Sequence, residues 1–430
     1  MNFQTLKILR LMFDPGVTRT PIRVVGELRK KGKRRLPGDV EKELTGGLPG
    51  FKTISFVKKW LDGEMLTRHG GQWVLNSFLP PFPGRAYDRM FENLLSGRSL
   101  SPVSAYLAIT ADCENKCPHC SIKGRKKGQF TAKQWKNVID QLHGLGTSLI
   151  SFTGGEPMLF DGLPELVKAA KDGGAETVVF TSGSGFSRKM ASELKASGLF
   201  ATSISLDHWQ KEKINAFRGS EKAFDNLVNA VKLSLESGFY TMTGSVLSRE
   251  IMKNRDYRKI YGFAKEMGVH EFRLIEPMPC GNLFDAPEDA FLTDDEICEI
   301  RKFHVETNRK GKLPKVCAFN QIESPEVFGC GAGTQHLFID HLGEVCPCDF
   351  TPLSFGNVFK TPLADIWARM NKVMHNPRRH CFIRKHHGLI KKEKTESMMF
   401  PLPPELSEKI CAKAGREELP DYFKLVTGAK

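Results

Sequence analysis

The sequence predicts an α/β fold, a partial (β/α)6 barrel of the TIM type with an N-terminal basic α/β extension and a C-terminal cysteine-rich module. Strand-like and helical segments alternate six times between about residues 101 and 285, which indicates βα units around a parallel sheet. Six units are fewer than the eight of a closed barrel, so we expect the barrel to be open. Cysteines then crowd together beyond residue 313.

Apolar and β-branched runs predict the six strands, and 3.6-residue periodicity predicts the helices between them. The strands are expected at 105–110, 149–152, 177–180, 201–206, 240–247 and 271–275. The helices are expected at 131–145, 163–170, 189–196, 222–237, 257–267 and 293–307. The chain is thus divided into a basic N-terminal region at residues 1–100 and the barrel at 101–312. The cysteine module at 313–385 and a tail at 386–430 follow.

The composition excludes several classes of protein. Of 430 residues, 40% are hydrophobic and 26% charged, which argues against disorder and against a small disulfide scaffold. No apolar run approaches the roughly 20 residues of a membrane span, and no signal peptide is evident, so we expect a cytoplasmic protein. Eleven cysteines, an odd number, indicate metal or redox chemistry. The net charge of +14 predicts an anionic partner.

Most of that charge lies in the first hundred residues, which hold eighteen Lys and Arg against nine Asp and Glu. Its densest part is Arg29–Arg35, which is either a solvated arm or a contact for phosphate, an acidic peptide or an anionic membrane. The apolar start, Met1–Phe13, is either an interfacial helix or a segment packed on the next domain. A hairpin turning at Gly70 and Gly71 follows, and prolines near residue 80 suggest a boundary loop.

The first cysteine group follows the first strand and reads Cys113-Glu-Asn-Lys-Cys117-Pro-His-Cys120. Three thiols in a polar loop predict a metal centre, either zinc or a [4Fe–4S] cluster. Zinc normally takes four protein ligands, and no second cysteine pair lies at the usual distance. Three thiolates on four irons would instead leave one iron free to bind a chelating molecule.

This spacing, Cys-x3-Cys-x2-Cys after the first strand of a partial barrel, resembles the radical S-adenosylmethionine (radical SAM) enzymes. The resemblance extends to the second strand end, where Gly154-Gly155-Glu156-Pro157 is similar to the segment that holds the cofactor's amino group. It implies that Cys113, Cys117 and Cys120 bind the catalytic [4Fe–4S] cluster.

Later strand ends resemble the same family. Ser182 follows the third strand, and Ser205 lies near the end of the fourth, where a serine commonly contacts the cofactor. Arg218 precedes the next helix, and it is either a partner for the cofactor carboxylate or a surface residue. The resemblance therefore implies cofactor contacts from Gly154, Gly155, Glu156, Pro157, Ser182, Ser205 and Arg218.

The second cysteine group resembles the half-size auxiliary-cluster module called twitch, related to the larger SPASM module. Cys330, Gly343 and Cys348 match its Cys, Gly, x4, Cys pattern, around a hairpin. The dense cysteine run of the full SPASM form is missing, so one auxiliary [4Fe–4S] cluster is expected. Its implied ligands are Cys330, Cys348 and Cys381, with Cys317 or Cys346 as the fourth. A zinc site of four cysteines is the alternative.

The resemblance implies reductive cleavage of S-adenosylmethionine to methionine and a 5′-deoxyadenosyl radical, which abstracts hydrogen from an unactivated C–H bond. An external one-electron donor, of the flavodoxin or ferredoxin type, is implied as a partner. The basic, apolar N-terminal region suggests an anionic, amphipathic substrate, such as a lipid at the inner membrane surface. A ribosomally made precursor peptide is the alternative. A non-catalytic zinc or nucleic-acid-binding protein is the alternative of another class, although Gly154–Pro157 does not fit it and we do not expect nucleic acid as a partner.

Overall fold

A computed structural model of the chain describes residues 51–95, 101–126 and 128–427. Within these ranges the main element is one nine-stranded sheet, which contains all six predicted barrel strands side by side in chain order and parallel. These six strands are β3 Ser104–Thr110, β4 Leu149–Gly154, β5 Glu176–Thr181, β6 Ala201–Ser205, β7 Tyr240–Val246 and β8 Glu271–Ile275. The partial barrel expected from the sequence is confirmed.

Helices cover the outer face of the sheet and bury its apolar side chains in the main core. They are α3 Ala132–Leu145, α4 Leu163–Asp172, α5 Arg188–Ala196, α6 Lys211–Arg218, α7 Ala223–Glu236, α8 Arg249–Lys253, α9 Tyr257–Glu266 and α10 Asp294–Arg309. Local sequence sets the ends of α3, because Thr131 and Gln134 form a capping box and Gly146 closes the helix with a φ of 87°.

The sheet continues past both ends of the predicted six strands. After α10, the strand β9 Lys315–Ala318 pairs in parallel with β8. At the other edge, β10 His336–Ile339 pairs in parallel with β3 and antiparallel with β11 Val345–Cys346. The hairpin expected in the cysteine module is therefore confirmed, and it belongs to the barrel sheet. The six strands predicted from the sequence did not include β9, which continues the alternation after α10.

The N-terminal part that the structure describes packs against the amino ends of the barrel strands. It comprises α1 Phe51–Leu61, the hairpin β1 Thr67–His69 and β2 Gln72–Val74, and α2 Arg85–Leu95. These elements share a small core of their own, and Val74 packs against the barrel strands at Val178 and Met242. The hairpin at Gly70 and Gly71 is confirmed. The expectations for Met1–Phe13 and Arg29–Arg35 lie outside the described residues.

The remaining elements are the short helix α11 Phe319–Ile322 and four C-terminal helices, α12 Leu363–Val373, α13 Phe382–Glu393, α14 Pro404–Ala414 and α15 Asp421–Thr427. The tail packs back onto the N-terminal part, since Tyr422 contacts the ring of Phe56 at 5.7 Å and Asp421 pairs with Lys59 at 3.0 Å. In the described ranges, no helix combines the length and the apolar character that a bilayer crossing requires.

Candidate active site

The first cysteine group lies on the loop that follows β3, at the carboxyl end of the sheet, and three neighbouring segments hold the loop. Asn115 donates to Ser182 Oγ at 2.9 Å, and the backbone N–H of Lys116 donates to the carbonyl of Arg218 at 2.8 Å. Asn282, after β8, donates from its side chain to the carbonyl of Cys117 at 2.8 Å and from its backbone to that of Cys120 at 3.0 Å. The ends of β5, α6 and β8 thus fix the loop that carries the three cysteines.

The three thiols of this loop influence one another electrostatically. Burial raises the pKa of Cys117 to about 11, and burial also raises the pKa of Cys113. The Cys113 and Cys117 thiols keep their protons while no metal is bound, so a metal centre must displace those protons when it binds them. In the described part of the chain, no three His, Cys, Asp or Glu side chains meet closely enough to hold a single metal ion.

The segment Gly154–Pro157 lies beside this loop because β4 pairs with β3. A Cβ on Gly154 would overlap the carbonyl oxygen of Thr110, and one on Gly155 would overlap that of Asp112. Gly154 also has a φ of 134°, which favours glycine. The two glycines are thus required by the close approach of β4 to the backbone that leads into the cysteine loop. Pro157 begins a single 3₁₀ turn.

Glu156 is fully buried, and its carboxylate joins the ends of β4 and β5. One oxygen accepts from Thr181 Oγ1 at 2.6 Å and from the Met158 N–H at 3.1 Å. The other accepts from the Ser182 N–H at 2.7 Å and from Ser182 Oγ at 2.5 Å. Burial raises the pKa of Glu156, and these four bonds lower it. A carboxylate accepts about four hydrogen bonds, and the chain itself supplies four here. Glu156 therefore holds the ends of β4 and β5 together.

The second cysteine group forms where the hairpin β10–β11 meets the start of α13. The thiols of Cys330 and Cys381 contact each other, and Cys348 interacts electrostatically with Cys330. The Cys330 N–H donates to the carbonyl of Arg378 at 2.9 Å. The Arg378 guanidinium is buried and donates to the carbonyls of Met374 and Gly415. The structure therefore brings together the three cysteines that the sequence ranked first as auxiliary ligands.

Two family profiles match the chain at these two sites. Residues 107–255 match the radical SAM superfamily, and residues 330–393 match an iron–sulfur cluster-binding domain known as SPASM. The chain therefore contains a radical SAM domain and a SPASM-type domain. Its cofactors are a [4Fe–4S] cluster with S-adenosylmethionine and an auxiliary cluster, so the zinc alternative is not supported.

Relatives and solved structures of this radical SAM protein include several activities. The chain is 26% identical over 295 residues to the AdoMet-dependent heme synthase of Nitratidesulfovibrio vulgaris. The aligned region covers 63% of this chain and 80% of that protein. The structure of Streptococcus suis SuiB bound to precursor peptide SuiA matches with a TM-score of 0.50 and 17% identity, over 62% of this chain and 64% of that one. The structure of anSMEcpe with bound AdoMet and a peptide matches with a TM-score of 0.54 and 16% identity, over 73% and 96%. At these identities the solved structures show a shared fold.

The residues present fit both groups of the radical SAM protein. Three thiols on a loop held from several sides suit a [4Fe–4S] cluster whose fourth iron stays open to a chelating cofactor. Cys330, Cys348 and Cys381 offer a second thiol set on rigid elements. Sulfur ligands suit iron–sulfur clusters in both places.

The three further residues assigned to the cofactor are placed differently. Ser182 lies beside the cysteine loop, but its hydroxyl already bridges Glu156 and Asn115. Ser205 is the last residue of β6 and faces the same end of the sheet. Arg218 is buried and not on the surface, and its guanidinium pairs with Asp207. The cofactor contacts of these residues stay predictions.

The thiols of the two candidates for a fourth auxiliary ligand contact other residues. The buried thiol of Cys317, on β9, accepts from Ser77 Oγ at 3.9 Å. It also interacts electrostatically with the carboxyl groups of Glu271 and Glu64. The buried thiol of Cys346 accepts from Arg125 at 3.8 Å on the opposite edge of the sheet. Neither contact involves Cys330, Cys348 or Cys381.

Sequence reasoning missed two charged residues in the barrel interior. Arg273, on β8, is 4% exposed, and its guanidinium carbon lies 4.9 Å from the ring centroid of Phe180 and 5.2 Å from that of Phe78. Asp349 directly follows Cys348, and burial raises its pKa to about 6 although Arg273 lowers it. An arginine between Phe272 and Leu274 in a barrel strand was a signal for the first, whereas nothing local marked Asp349.

Proposed function

We propose that this radical SAM protein abstracts a hydrogen atom from an unactivated C–H bond of an anionic, amphipathic substrate held inside the barrel. When bound, the reduced cluster and S-adenosylmethionine supply methionine and a 5′-deoxyadenosyl radical, with the electron coming from an external donor of the flavodoxin or ferredoxin type. The chain's own residues hold the substrate, orient it and keep water away. The observation that carries this proposal is the environment of Arg273.

Arg273 is a buried cation with an incomplete set of partners. Its Nε has no hydrogen-bond acceptor, and among the described residues no carboxylate lies within ion-pair distance of its guanidinium. The rings of Phe78 and Phe180 flank it, and Tyr106 is a hydrogen-bond partner. Glu271, Cys317 and Asp349 interact with it electrostatically. Because burying an unpaired charge is costly, a bound carboxylate or phosphate would stabilise this arrangement. The flanking rings suit an apolar body next to that anion.

Asp349 lies close to both Arg273 and the second cysteine group. It interacts electrostatically with Arg273 and Arg125 on one side and with Cys348 on the other. Near neutral pH its carboxyl is mostly ionised. If the auxiliary cluster takes one electron from the substrate radical, the Asp349 carboxylate would take the proton that is released with it.

A precursor peptide is the second candidate substrate. The fold shared with SuiB, whose solved structure contains precursor peptide SuiA, favours it. The N-terminal hairpin does not add to this case, since Val74 packs against the barrel strands. For the lipid candidate, the relevant residues 1–50 lie outside the described ranges, and a location at the inner membrane surface belongs to that version of the proposal.

The first test is anaerobic reconstitution of the full chain with iron and sulfide, followed by dithionite and S-adenosylmethionine. We expect 5′-deoxyadenosine, and its absence from fully loaded protein would refute radical chemistry. The second test adds phosphatidylglycerol vesicles or a glutamate-rich peptide and compares the wild type with Arg273→Met. A probe that raises 5′-deoxyadenosine formation in the wild type and not in the variant supports an anionic substrate at Arg273.

Flotation of the full chain separates the two candidates. Retention on phosphatidylglycerol vesicles at low salt, but not on phosphatidylcholine vesicles, is expected for a lipid substrate. If neither vesicle retains the protein and only the peptide stimulates cleavage, the lipid version is wrong and the peptide version stands.

A further inference from the structure

Arg218 links the catalytic cysteine loop to the carboxylate of Asp207. It is the last residue of α6, and its side chain is 6% exposed, with that of Asp207 at 3%. One nitrogen, Nη2, donates to Asp207, and the other, Nη1, donates to the Sγ of Cys117 at 3.7 Å. The guanidinium is thus held between an acidic group that follows β6 and the middle cysteine of the cluster motif.

The backbone keeps this contact in place. The Lys116 N–H donates to the carbonyl of Arg218 at 2.8 Å, so the end of α6 is joined to the residue before Cys117. Gly219 closes α6 with a φ of 59°, and a Cβ at this position would lie 3.2 Å from the Cβ of Lys116. Helix end and cysteine loop therefore form one rigid unit, which fixes the guanidinium relative to the sulfur.

This geometry differs from that of a free cation waiting for the cofactor carboxylate. The charge of Arg218 is already balanced by Asp207 in a buried ion pair. A guanidinium that approaches a ligand sulfur has a more direct effect on the cluster, because hydrogen bonds to the sulfurs and local net charge set iron–sulfur potentials.

We propose that Arg218 and Asp207 act as a pair of positioning residues that sets the reduction potential of the cluster bound by Cys113, Cys117 and Cys120. The inference rests on the proposed function. Reduction adds one negative charge to the cluster, and the hydrogen bond from Arg218 to the Cys117 thiolate stabilises that charge. Asp207 orients the guanidinium and opposes part of its effect.

The test is an EPR-monitored redox titration of the reconstituted full chain without S-adenosylmethionine. Arg218→Gln removes the positive charge and keeps an amide donor, while Asp207→Asn removes the opposing negative charge. Arg249→Gln, which breaks an ion pair with Glu296 away from the loop, is the matched control. Iron content confirms that each variant is loaded, and the auxiliary cluster in the same sample is an internal reference.

We expect a more negative midpoint potential in Arg218→Gln, a more positive one in Asp207→Asn and no shift in Arg249→Gln. Arg218→Lys should lie nearer the wild type than Arg218→Gln. If Arg218→Gln does not load iron, the Asp207→Asn variant tests the inference instead. A more positive midpoint potential in that variant supports the inference, and any other result contradicts it.

Unchanged midpoints in loaded Arg218→Gln and Asp207→Asn would overturn the inference. Weaker binding of S-adenosylmethionine with unchanged midpoints would instead assign Arg218 to the cofactor carboxylate and would also overturn it. Failure of the wild type to form 5′-deoxyadenosine refutes the proposed function alone, because the titration does not depend on cleavage.

Discussion

Arg125 donates to Asp340 at 2.9 Å, and both side chains are only 2% exposed. Arg125 lies on the long connection after the Cys113–Cys120 motif, while Asp340 directly follows β10 in the SPASM-type domain. The same guanidinium reaches the thiol of Cys346 at 3.8 Å, and His341 contacts the carbonyl of Lys126 at 2.6 Å. The two cluster-bearing parts of the chain are therefore connected by a buried ion pair.

Breaking this ion pair should destabilise the whole fold. Arg125→Met leaves the Asp340 carboxylate buried without its cation, and we expect a loss of about 3–5 kcal/mol in the free energy of unfolding. Anaerobic denaturant unfolding measures it. Arg188→Gln, at an exposed pair with Glu236, should change stability by less than about 0.5 kcal/mol. A double variant, Arg125→Met with Asp340→Asn, should lose less than the two single losses together, and simple additivity would contradict direct coupling.

Replacing Cys113, Cys117 and Cys120 together by Ala should abolish 5′-deoxyadenosine formation and leave the auxiliary iron in place. Two [4Fe–4S] clusters hold about eight irons per chain, so the variant should retain about four. Iron and sulfide assays on reconstituted protein give the count. Retention of the full iron content would show that these cysteines do not hold a cluster.

The auxiliary cluster should depend on Cys330, Cys348 and Cys381 and not on Cys317 or Cys346. Cys348→Ala should lower the iron content by about four per chain, because it removes one of three grouped thiols. Cys317→Ala and Cys346→Ala serve as matched controls and should keep all the iron, since their thiols face Ser77 and Arg125. Loss of iron in either control would restore that cysteine as the fourth ligand.

Stability should fall as the pH drops below about 6.5, in part because of His270. Burial lowers its pKa to about 4, and its Nδ1 accepts the Thr241 N–H at 3.1 Å, which leaves no room for a second proton there. The unfolded chain takes up that proton near pH 6.5, so the contribution is complete above this value and is lost as the pH falls towards 4.

The size of this effect can be checked with His270→Asn, whose side-chain oxygen can still accept from Thr241. Between pH 7 and pH 5, we expect the wild type to lose about 1–2 kcal/mol more than the variant in anaerobic urea unfolding, allowing for the partial exposure of the ring. Equal losses in the two proteins would contradict the assignment to His270.

The local part of the fold was predictable from the sequence. The six central strands and most helices follow from periodicity and caps, such as Thr131 with Gln134 at the start of α3. The strand β9 was missed because it has four residues and begins with a lysine. Lys315 is nevertheless 1% exposed, since its ammonium donates to the carbonyls of Val74 and Leu75 at 3.0 Å. Those acceptors are some 240 residues away in the chain, so no local pattern reveals them.

The sequence by itself determined the two domains and the cofactors of this protein, because cysteine spacing and a strand-end Gly-Gly-Glu-Pro are local patterns. The tertiary structure decided which side chains share those sites. It grouped Cys330, Cys348 and Cys381, gave Cys317 and Cys346 other contacts, and placed Arg218 against Cys117 and Arg273 inside the barrel. The reason is that the curvature and pairing of the sheet set distances between residues far apart in the chain, and these distances fix ion pairs, burial and the direction in which a thiol points.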